Sequence, residues 1–315
     1  MGATPRIVAV VVTYQPDPAT CAELLKALTP QVARVIVVDN GSRQELLDPL
    51  RELVTALGPT VELRPLPSNR GIGAAQNVGI AVARADAADL VLLSDQDSVP
   101  APDMVQRLVV GLQRASGDPG HPVAAVGPVT VDERADGATL LFAATRWGPR
   151  RAALPDVDGA LVPVAFLVAS GCLVTREALD AVGGMNEPWF IDHVDLEWGL
   201  RAARLGYALY GVVGAELRHQ LGDRTVKLPG RGRDVHIHSP VRNYYMTRNT
   251  VHLIRSGLLG PAWALGYVAW ITKYAAFYVL AVAPRRTRAA LMARGFADGL
   301  RGRTGPLPGT RRGGR

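Results

Sequence analysis

Ile7-Val8-Ala9-Val10-Val11-Val12-Thr13-Tyr14 decides the fold. Nothing polar interrupts it before Thr13, and four of its residues are valine. A strand with one face in water alternates apolar and polar residues; a continuous β-branched run is buried on both faces, as in a parallel sheet covered by helices. Working outward, Val35–Val38, Val61–Leu66 and Leu90–Leu93 repeat the pattern. The spacing predicts helices over residues 18–29, 44–57 and Gly73–Arg84 between them. Strands alternating with helices give an α/β fold with helices on both faces of the sheet. Ligands of such sheets bind beyond the carboxyl ends of the strands. Three polar motifs fall there: Thr13-Tyr14, Asp39-Asn40-Gly41-Ser42 and Ser94-Asp95-Gln96-Asp97.

Further along, Val123–Val131 and Leu161–Val168 read as strands, separated by a Gly- and Pro-punctuated excursion. Ser170-Gly171-Cys172-Leu173-Val174 and a short helix near Arg176–Val182 follow. Phe190-Ile191-Asp192-His193-Val194-Asp195-Leu196-Glu197-Trp198 opens a helix running to about Leu205. No repeat is visible.

The 315 residues, 48% of them apolar, are enough for one large domain with an appendage. The formal charge of +7 sits almost wholly in residues 284–315, which hold nine Arg and one Asp. The body is therefore near neutral, which argues against a nucleic-acid partner. Cys21 and Cys172 alone make no disulfide framework. The Ile7–Val12 run is too short for a signal-peptide core, and the N-terminal residues carry no myristoylation pattern.

Asp95 and Asp97 stand at i and i+2 after a strand, so they point to one side. Paired carboxylates repel unless a cation joins them, and hard oxygen ligands suit Mg²⁺ or Mn²⁺. The bland alternative is a solvated acidic turn. Asp39-Asn40-Gly41-Ser42 offers polar groups to a base or ribose, or is an ordinary Asn-Gly turn. Asn69-Arg70-Gly71-Ile72-Gly73-Ala74-Ala75-Gln76-Asn77 opens a helix and could cradle an anion, though it is no dinucleotide fingerprint. Asp192, Asp195 and Glu197 cluster at a helix start, where acids also serve as caps. Phe190 and Ile191 beside them supply an apolar setting that would raise a carboxylate toward the range of a general base. His219 lies beyond an apolar run; a lone His is more often structural than a ligand.

Taken in order, these motifs resemble the family 2 glycosyltransferases, and within them the bacterial rhamnosyltransferases of cell-wall and O-antigen assembly. Arg242-Asn243-Tyr244-Tyr245 and Arg248-Asn249 extend the resemblance over residues 7–250. It implies the GT-A fold: residues 1–255 as the catalytic domain, with a nucleotide-binding half (1–100) and an acceptor half (101–255). It implies that Thr13, Tyr14, Asp39, Asn69, Gly71, Gln76, Asn77 and Asp95 bind the donor nucleotide. Asp95, Asp97 and His219 would hold Mg²⁺ or Mn²⁺. Ser170, Gly171, Trp198, Arg242, Tyr245 and Arg248 fall on the acceptor side. Many members carry Glu-Asp where this chain has Asp192-His193. The rhamnosyltransferase-like pattern Phe-Ile-Asp-x-Val-Asp then favours Asp192 as the base, with Asp195 holding the helix start. The implied reaction is an inverting transfer of rhamnose from dTDP-L-rhamnose to a polyprenyl-diphosphate-linked glycan. A UDP-sugar donor, a sugar nucleotidyltransferase and a non-catalytic sugar-nucleotide or lipid-binding subunit are the alternatives.

Leu258–Ala283 carries one charge, Lys273. It is long enough to cross a bilayer. Trp263, Tyr267, Trp270, Tyr274, Phe277 and Tyr278 recur at three- and four-residue spacing, and Trp and Tyr prefer the membrane interface. With a basic flank, this predicts helices over residues 256–301 lying on the cytoplasmic face of the plasma membrane; a packed helix or a dimer contact is the alternative. Residues 302–315, rich in Gly, Pro and Arg, predict a disordered basic tail.

Overall fold

A computed structural model describes residues 4–117, 120–132, 140–219, 225–227 and 234–308; residues 130–132, 219, 225–227 and 234–236 are described in backbone only. The first half follows the predicted alternation: β1 (Ile7–Thr13), α1 (Pro18–Leu28), β2 (Arg34–Asp39), α2 (Gln44–Leu57), β3 (Val61–Pro65), α3 (Ile72–Ala85) and β4 (Leu90–Asp95). All seven residues of β1 are buried, as a strand covered on both faces requires. Asp17 starts α1 by accepting from Thr20 N at 2.8 Å. Gly58, at φ +87°, ends α2.

The four strands are parallel, and their register sets the site. Thr13 pairs with Asp39, and Val12 with Asp95, so the three polar motifs meet at one edge.

The chain continues through β5 (Ser98–Pro100), α4 (Met104–Ser116), β6 (Val123–Asp132), a hairpin of β7 (Phe142–Thr145) and β8 (Gly148–Arg151), β9 (Leu161–Pro163), β10 (Cys172–Thr175), α5 (Arg176–Val182), α6 (Val194–Arg204) and β11 (Ala208–His219). Among the described residues the main sheet runs β3-β2-β1-β4-β10-β6-β11-β5, with β9 on β11. β10 is antiparallel to both neighbours, so the parallel block ends at β4 and the sheet is mixed. The strand expected over Leu161–Val168 stops at Pro163. Pro163 has no N–H for the ladder; Val164 N still donates to Leu209 O of β11 at 3.0 Å, but Ala165 N donates to Phe142 O at 2.7 Å, which ties the segment to the hairpin.

Three helices close the chain: α7 (Pro240–Arg255), α8 (Pro261–Ala281) and α9 (Arg285–Leu300). Here the structure corrects two expectations. Most of the aromatic stripe of α8 faces the protein, where three of its polar tips find partners, although Trp270 stays 40% exposed. Trp263 Nε1 donates to Thr145 O at 2.7 Å. Tyr274 OH accepts from Asn243 Nδ2 at 2.7 Å, and Tyr278 OH from His238 N at 3.0 Å. The outward face is aliphatic, with Leu265, Val268, Thr272, Ala276 and Leu280 exposed at helical spacing. The second correction concerns the tail, which is packed as far as Pro308. Gly305 N donates to Pro188 O at 2.7 Å, Leu307 N donates to Tyr245 OH at 2.7 Å, and the Leu307 side chain is buried. Residues 309–315 lie outside the described residues. Several tail arginines also have internal partners: Arg288 is buried against Tyr278, and Arg294 and Arg303 pair with Asp298.

A Cβ at Gly79 of α3 would overlap the Val10 side chain of β1. Gly79→Val should therefore lower stability by roughly 1–3 kcal/mol, the usual cost of overpacking, read as a reduced denaturation midpoint.

Candidate functional site

A pocket of about 180 Å³ opens at the carboxyl ends of β1 and β4. Tyr14, Asn69, Gly71 and Asp95, all anticipated from sequence, line it. So do Asn40, Gln96, Phe190 and Ile191. Asn40 Nδ2 donates to Asn69 Oδ1 at 3.2 Å, and Arg70 N to Asn40 Oδ1 at 2.9 Å, which joins the turns after β2 and before α3. Gln96 brackets Tyr14, accepting from its N–H at 2.7 Å and donating to its carbonyl at 3.2 Å. Gly71, at φ +91°, lets Phe190 pass; a Cβ there would overlap the Phe190 backbone.

The other expected donor residues stand behind the pocket or away from it. Thr13 Oγ1 donates to Asp39 Oδ1 at 3.0 Å, and Asp39 accepts from Ser42 N at 2.8 Å; both Thr13 and Asp39 are fully buried. They shape the turn. Gln76 is buried in α3. Asn77 binds Met185 N and O at 2.7 and 2.9 Å, fastening α3 to the segment before Phe190.

Two carboxylates meet where the parallel block ends. Asp95 Oδ2 accepts from Ser170 Oγ at 2.5 Å, and Asp195 Oδ2 from Ala169 N at 3.2 Å. They are thus anchored on consecutive residues just before β10. Burial, and then the charge of Asp95, push Asp195 up to about 7, against the opposing effect of the Ala169 amide. Asp195 does not cap its helix, as the sequence suggested; that position belongs to His193, with no side-chain cap.

Asp192 is differently placed. Its side chain is 2% exposed and paired with Arg242. Oδ2 is buried with no hydrogen-bond partner among the described residues. Asp192 lies in a turn where Phe190, Asp192 and His193 have φ of 68°, 67° and 63°. Asn249 of α7 holds this turn: its Nδ2 donates to the carbonyls of Trp189, Ile191 and Asp192 at 3.0, 2.7 and 3.0 Å. Arg248 Nη2 adds a bond to Trp189 O at 2.8 Å. His193 Nε2 lies 2.9 Å from Thr250 Oγ1, and burial lowers its pKa to about 4, so the ring is neutral near pH 7.

A second, larger cleft of about 1130 Å³ lies between the β7–β8 hairpin and α8. His193 and Asp195 line it. None of the six residues expected on the acceptor side does. Ser170 binds Asp95. Gly171, at φ +80°, packs beside Pro128. Trp198 is buried and donates to Gly183 O at 2.9 Å. Arg242 pairs with Asp192, Tyr245 accepts from Leu307, and Arg248 is fully buried. The walls come instead from Phe142, Trp147, Phe166 and Trp270, scattered apolar residues that form no motif.

The residues expected to hold a metal are partly gathered. Asp95 lines the smaller pocket, Asp97 follows two residues later, and the backbone of His219 pairs with Ser98, next to Asp97; the His219 side chain lies outside the description. Among the described residues, no three His, Cys, Asp or Glu side chains form a cluster. The chemistry present suits a hard divalent cation: Asp95 raises the pKa of Asp195, and added positive charge at Asp95 would relieve that repulsion.

The family model described as glycosyl transferase family 2 matches residues 8–181. A dTDP-rhamnosyl transferase of Shigella flexneri is 29% identical over 302 residues, 95% of this chain and 97% of that relative. An N-acetylglucosaminyl-diphospho-decaprenol L-rhamnosyltransferase of Mycobacterium tuberculosis is 28% identical over 249 residues, 70% and 78% of the two chains. Among solved structures, GalNAc-T7 with UDP, GalNAc and Mn²⁺ superposes with a TM-score of 0.61 at 14% identity, over 95% of this chain and 56% of that one. Residues 1–349 of TarS from S. aureus with UDP-GlcNAc give 0.57 at 15%, over 94% and 81%. The fold is GT-A.

The raised Asp195 predicts a stability effect of definite sign. The folded protein keeps a proton that the unfolded chain releases near pH 4, so stability falls as pH rises from about 4 to 7. In EDTA-treated protein, Asp195→Asn should gain stability over wild type at pH 8 relative to pH 4. Denaturant titrations at the two pH values measure this; an equal difference at both contradicts it.

Proposed function

Because the chain belongs to glycosyl transferase family 2, we propose that it is an inverting rhamnosyltransferase with Asp195 as its general base. One observation carries this reading: Asp195 lines the large cleft while its neighbour Asp95 lines the donor pocket, and Ala169-Ser170 anchors both. The donor pocket takes the nucleotide sugar between Tyr14, Asn40 and Asn69. The acceptor enters from the hairpin side. Its hydroxyl oxygen attacks the anomeric carbon, the bond from that carbon to the diphosphate oxygen breaks, and the hydroxyl proton passes to an Asp195 carboxylate oxygen. A single displacement inverts the configuration, the logic of a base and a leaving group on opposite faces of a sugar. Asp95 and Asp97, with His219, would hold Mg²⁺ or Mn²⁺, which when bound supplies positive charge against the departing diphosphate.

Asp195 replaces Asp192, the base favoured on sequence, for two reasons. Asp192 is already committed to Arg242. Asp195 borders the acceptor space, and its burial holds its proton affinity in the range useful at neutral pH. Asp192 instead fixes the turn through Arg242. The donor reading, dTDP-L-rhamnose, is supported by the relative that spans 95% of this chain. A lipid-linked glycan as acceptor is supported by the decaprenol-named relative and by α8, which is long and apolar enough to cross a membrane and only 11% buried over its most apolar window. Its aliphatic outer face would bind the bilayer surface, with Arg285 and Arg286 beside it.

Asp195→Asn should lower transfer about 10²–10⁴-fold while leaving dTDP-rhamnose affinity within a few-fold. If Asp192→Asn loses turnover and Asp195→Asn keeps it, the base is Asp192. Asp97→Ala, or excess EDTA, should abolish metal-dependent donor binding, measured by calorimetry; unchanged binding in both would remove the metal from the mechanism.

The membrane reading gives a separate expectation. Ser at Leu265, Val268 and Leu280 should prevent flotation with anionic vesicles. High salt should only weaken wild-type flotation, because apolar contact is insensitive to screening. Wild-type protein that fails to float under any condition would end this part of the reading.

A further inference from the structure

Phe190 and Ile191 form one wall of the smaller pocket. Phe190 holds a left-handed backbone at φ 68°, a conformation that a bulky residue keeps only where its surroundings impose it. In front, its carbonyl accepts from Ile72 N at 2.7 Å. Behind, its ring stacks on Tyr245 at 5.0 Å and 16°. Tyr245 is in turn gripped by the residues that follow α9. Gly302 and Gly305, at φ 72° and 78°, bend that segment back. Gly305 N then donates to Pro188 O and Leu307 N to Tyr245 OH, both at 2.7 Å. Gly305 O accepts from Arg248 Nη1, and the same guanidinium donates to Trp189 O. The Leu307 side chain, 4% exposed, packs among Tyr244, Tyr245, Phe190 and Ile191. Leu307 and Tyr245 line neither the pocket nor the large cleft.

We propose that residues 303–308 are a strap that positions the Phe190–Ile191 wall, with Leu307 and Tyr245 as its positioning residues, so that docking of the strap and binding of a nucleotide in the pocket strengthen each other. The strap lies outside every helix and strand. A segment held by a few hydrogen bonds and one buried side chain opens at lower cost than the core. Opening removes the plug behind Tyr245 and one partner of the guanidinium that holds Trp189 O, and it lets the strained Phe190 backbone relax. A ligand against the pocket face of Phe190 and Ile191 holds the wall in the shape the strap requires. Linkage is reciprocal: whatever factor the docked strap adds to nucleotide affinity, bound nucleotide returns as protection of the strap. The large cleft stands apart from this coupling, because none of the residues that the strap touches lines it. The link to a nucleotide rests on the reading of the smaller pocket as the donor site, and on nothing about the acceptor or the base.

Hydrogen exchange on the full chain tests both halves. Without ligand, Leu307→Ala should speed exchange of the Ile72 amide, which is held by Phe190 O, about tenfold, as local opening allows; the β1 amides should keep their wild-type rates. In wild-type protein, saturating dTDP with Mn²⁺ should slow the Gly305 and Leu307 amides about five- to tenfold, and by calorimetry Leu307→Ala should bind dTDP more weakly by up to the same factor. Leu307→Met, which conserves the volume, should restore the affinity. A merely structural role for Leu307 would lower stability yet leave the strap amides exchanging equally with and without nucleotide. That equality, wild-type dTDP affinity in Leu307→Ala, or an unchanged Ile72 rate in the ligand-free variant each overturns the proposal. Failure of the donor reading looks different: wild-type protein binds neither dTDP nor UDP. The nucleotide linkage then falls with it, while the ligand-free comparison still decides whether the strap positions the wall.

Discussion

The site depends on a short turn held in an unfavourable shape. Phe190, Asp192 and His193 all adopt left-handed backbone conformations, each costing of order 1–3 kcal/mol for a side chain other than glycine. Phe190 and Ile191 close the smaller pocket, while His193 and Asp195 border the large cleft, so the two spaces share this turn as their partition. What offsets the strain is polar. Three carbonyls of residues 189–192 converge on one amide group of Asn249, and the buried guanidinium of Arg248 adds another bond. The tail completes the clamp: Arg248 Nη1 also donates to Gly305 O, and Leu307 packs beside Tyr244 and Tyr245 with Phe190 and Ile191. The turn is thus held from α7 and from residues far along the chain, which is how a strained segment persists.

That long-range dependence explains what could be read in the sequence. The first hundred residues were legible because each element carries its own signal: unbroken β-branched runs for the strands, and stretches with helical spacing between them. Asp95 was legible for the same reason, since it ends a strand whose neighbours are in register. α7 and α9 were not. α7 buries Asn243, Thr247, Arg248, Asn249 and Thr250, and α9 buries Arg288 and Asp298. A helix whose inward face is polar shows no hydrophobic period. The different surroundings of Asp192 and Asp195 were equally hidden, because the partner of Asp192 is Arg242, fifty residues away. Residues within three of each other in sequence end with opposite tasks, one ion-paired and one facing open space.

The α8 stripe shows a different limit. Periodicity correctly puts Trp263, Tyr267, Trp270, Tyr274 and Tyr278 on one side of the helix, but a period does not say which way that side faces. Hydrogen-bonding capacity does. A hydroxyl or indole N–H against hydrocarbon loses its partners, whereas here Thr145, Asn243 and His238 supply them. The mostly aliphatic side has one such group, the Thr272 hydroxyl, which donates to Val268 O within the helix, and this side is the one left exposed. Similarly, the excess of arginine in the tail is a poor guide to surface charge, because Arg288, Arg294 and Arg303 are engaged within the fold, whereas the cations that remain unpaired beside the large cleft come from the hairpin and from α8.

α8 therefore serves as a wall shared by two environments. Its outer face is aliphatic and exposed. Its inner face touches the strained turn directly: the rings of Tyr267 and Trp270 meet His193 edge-on, both at 5.9 Å between centroids. His193 is neutral and half-buried, fixed on its other side by Thr250. A shift of α8 against the hairpin would change the width of the cleft and the packing around His193 together, because Tyr267 and Trp270 line the one and contact the other. His193 adjoins Asp192 in the same turn and precedes Asp195 by two residues, so the inner face of α8 packs against the segment that carries both carboxylates.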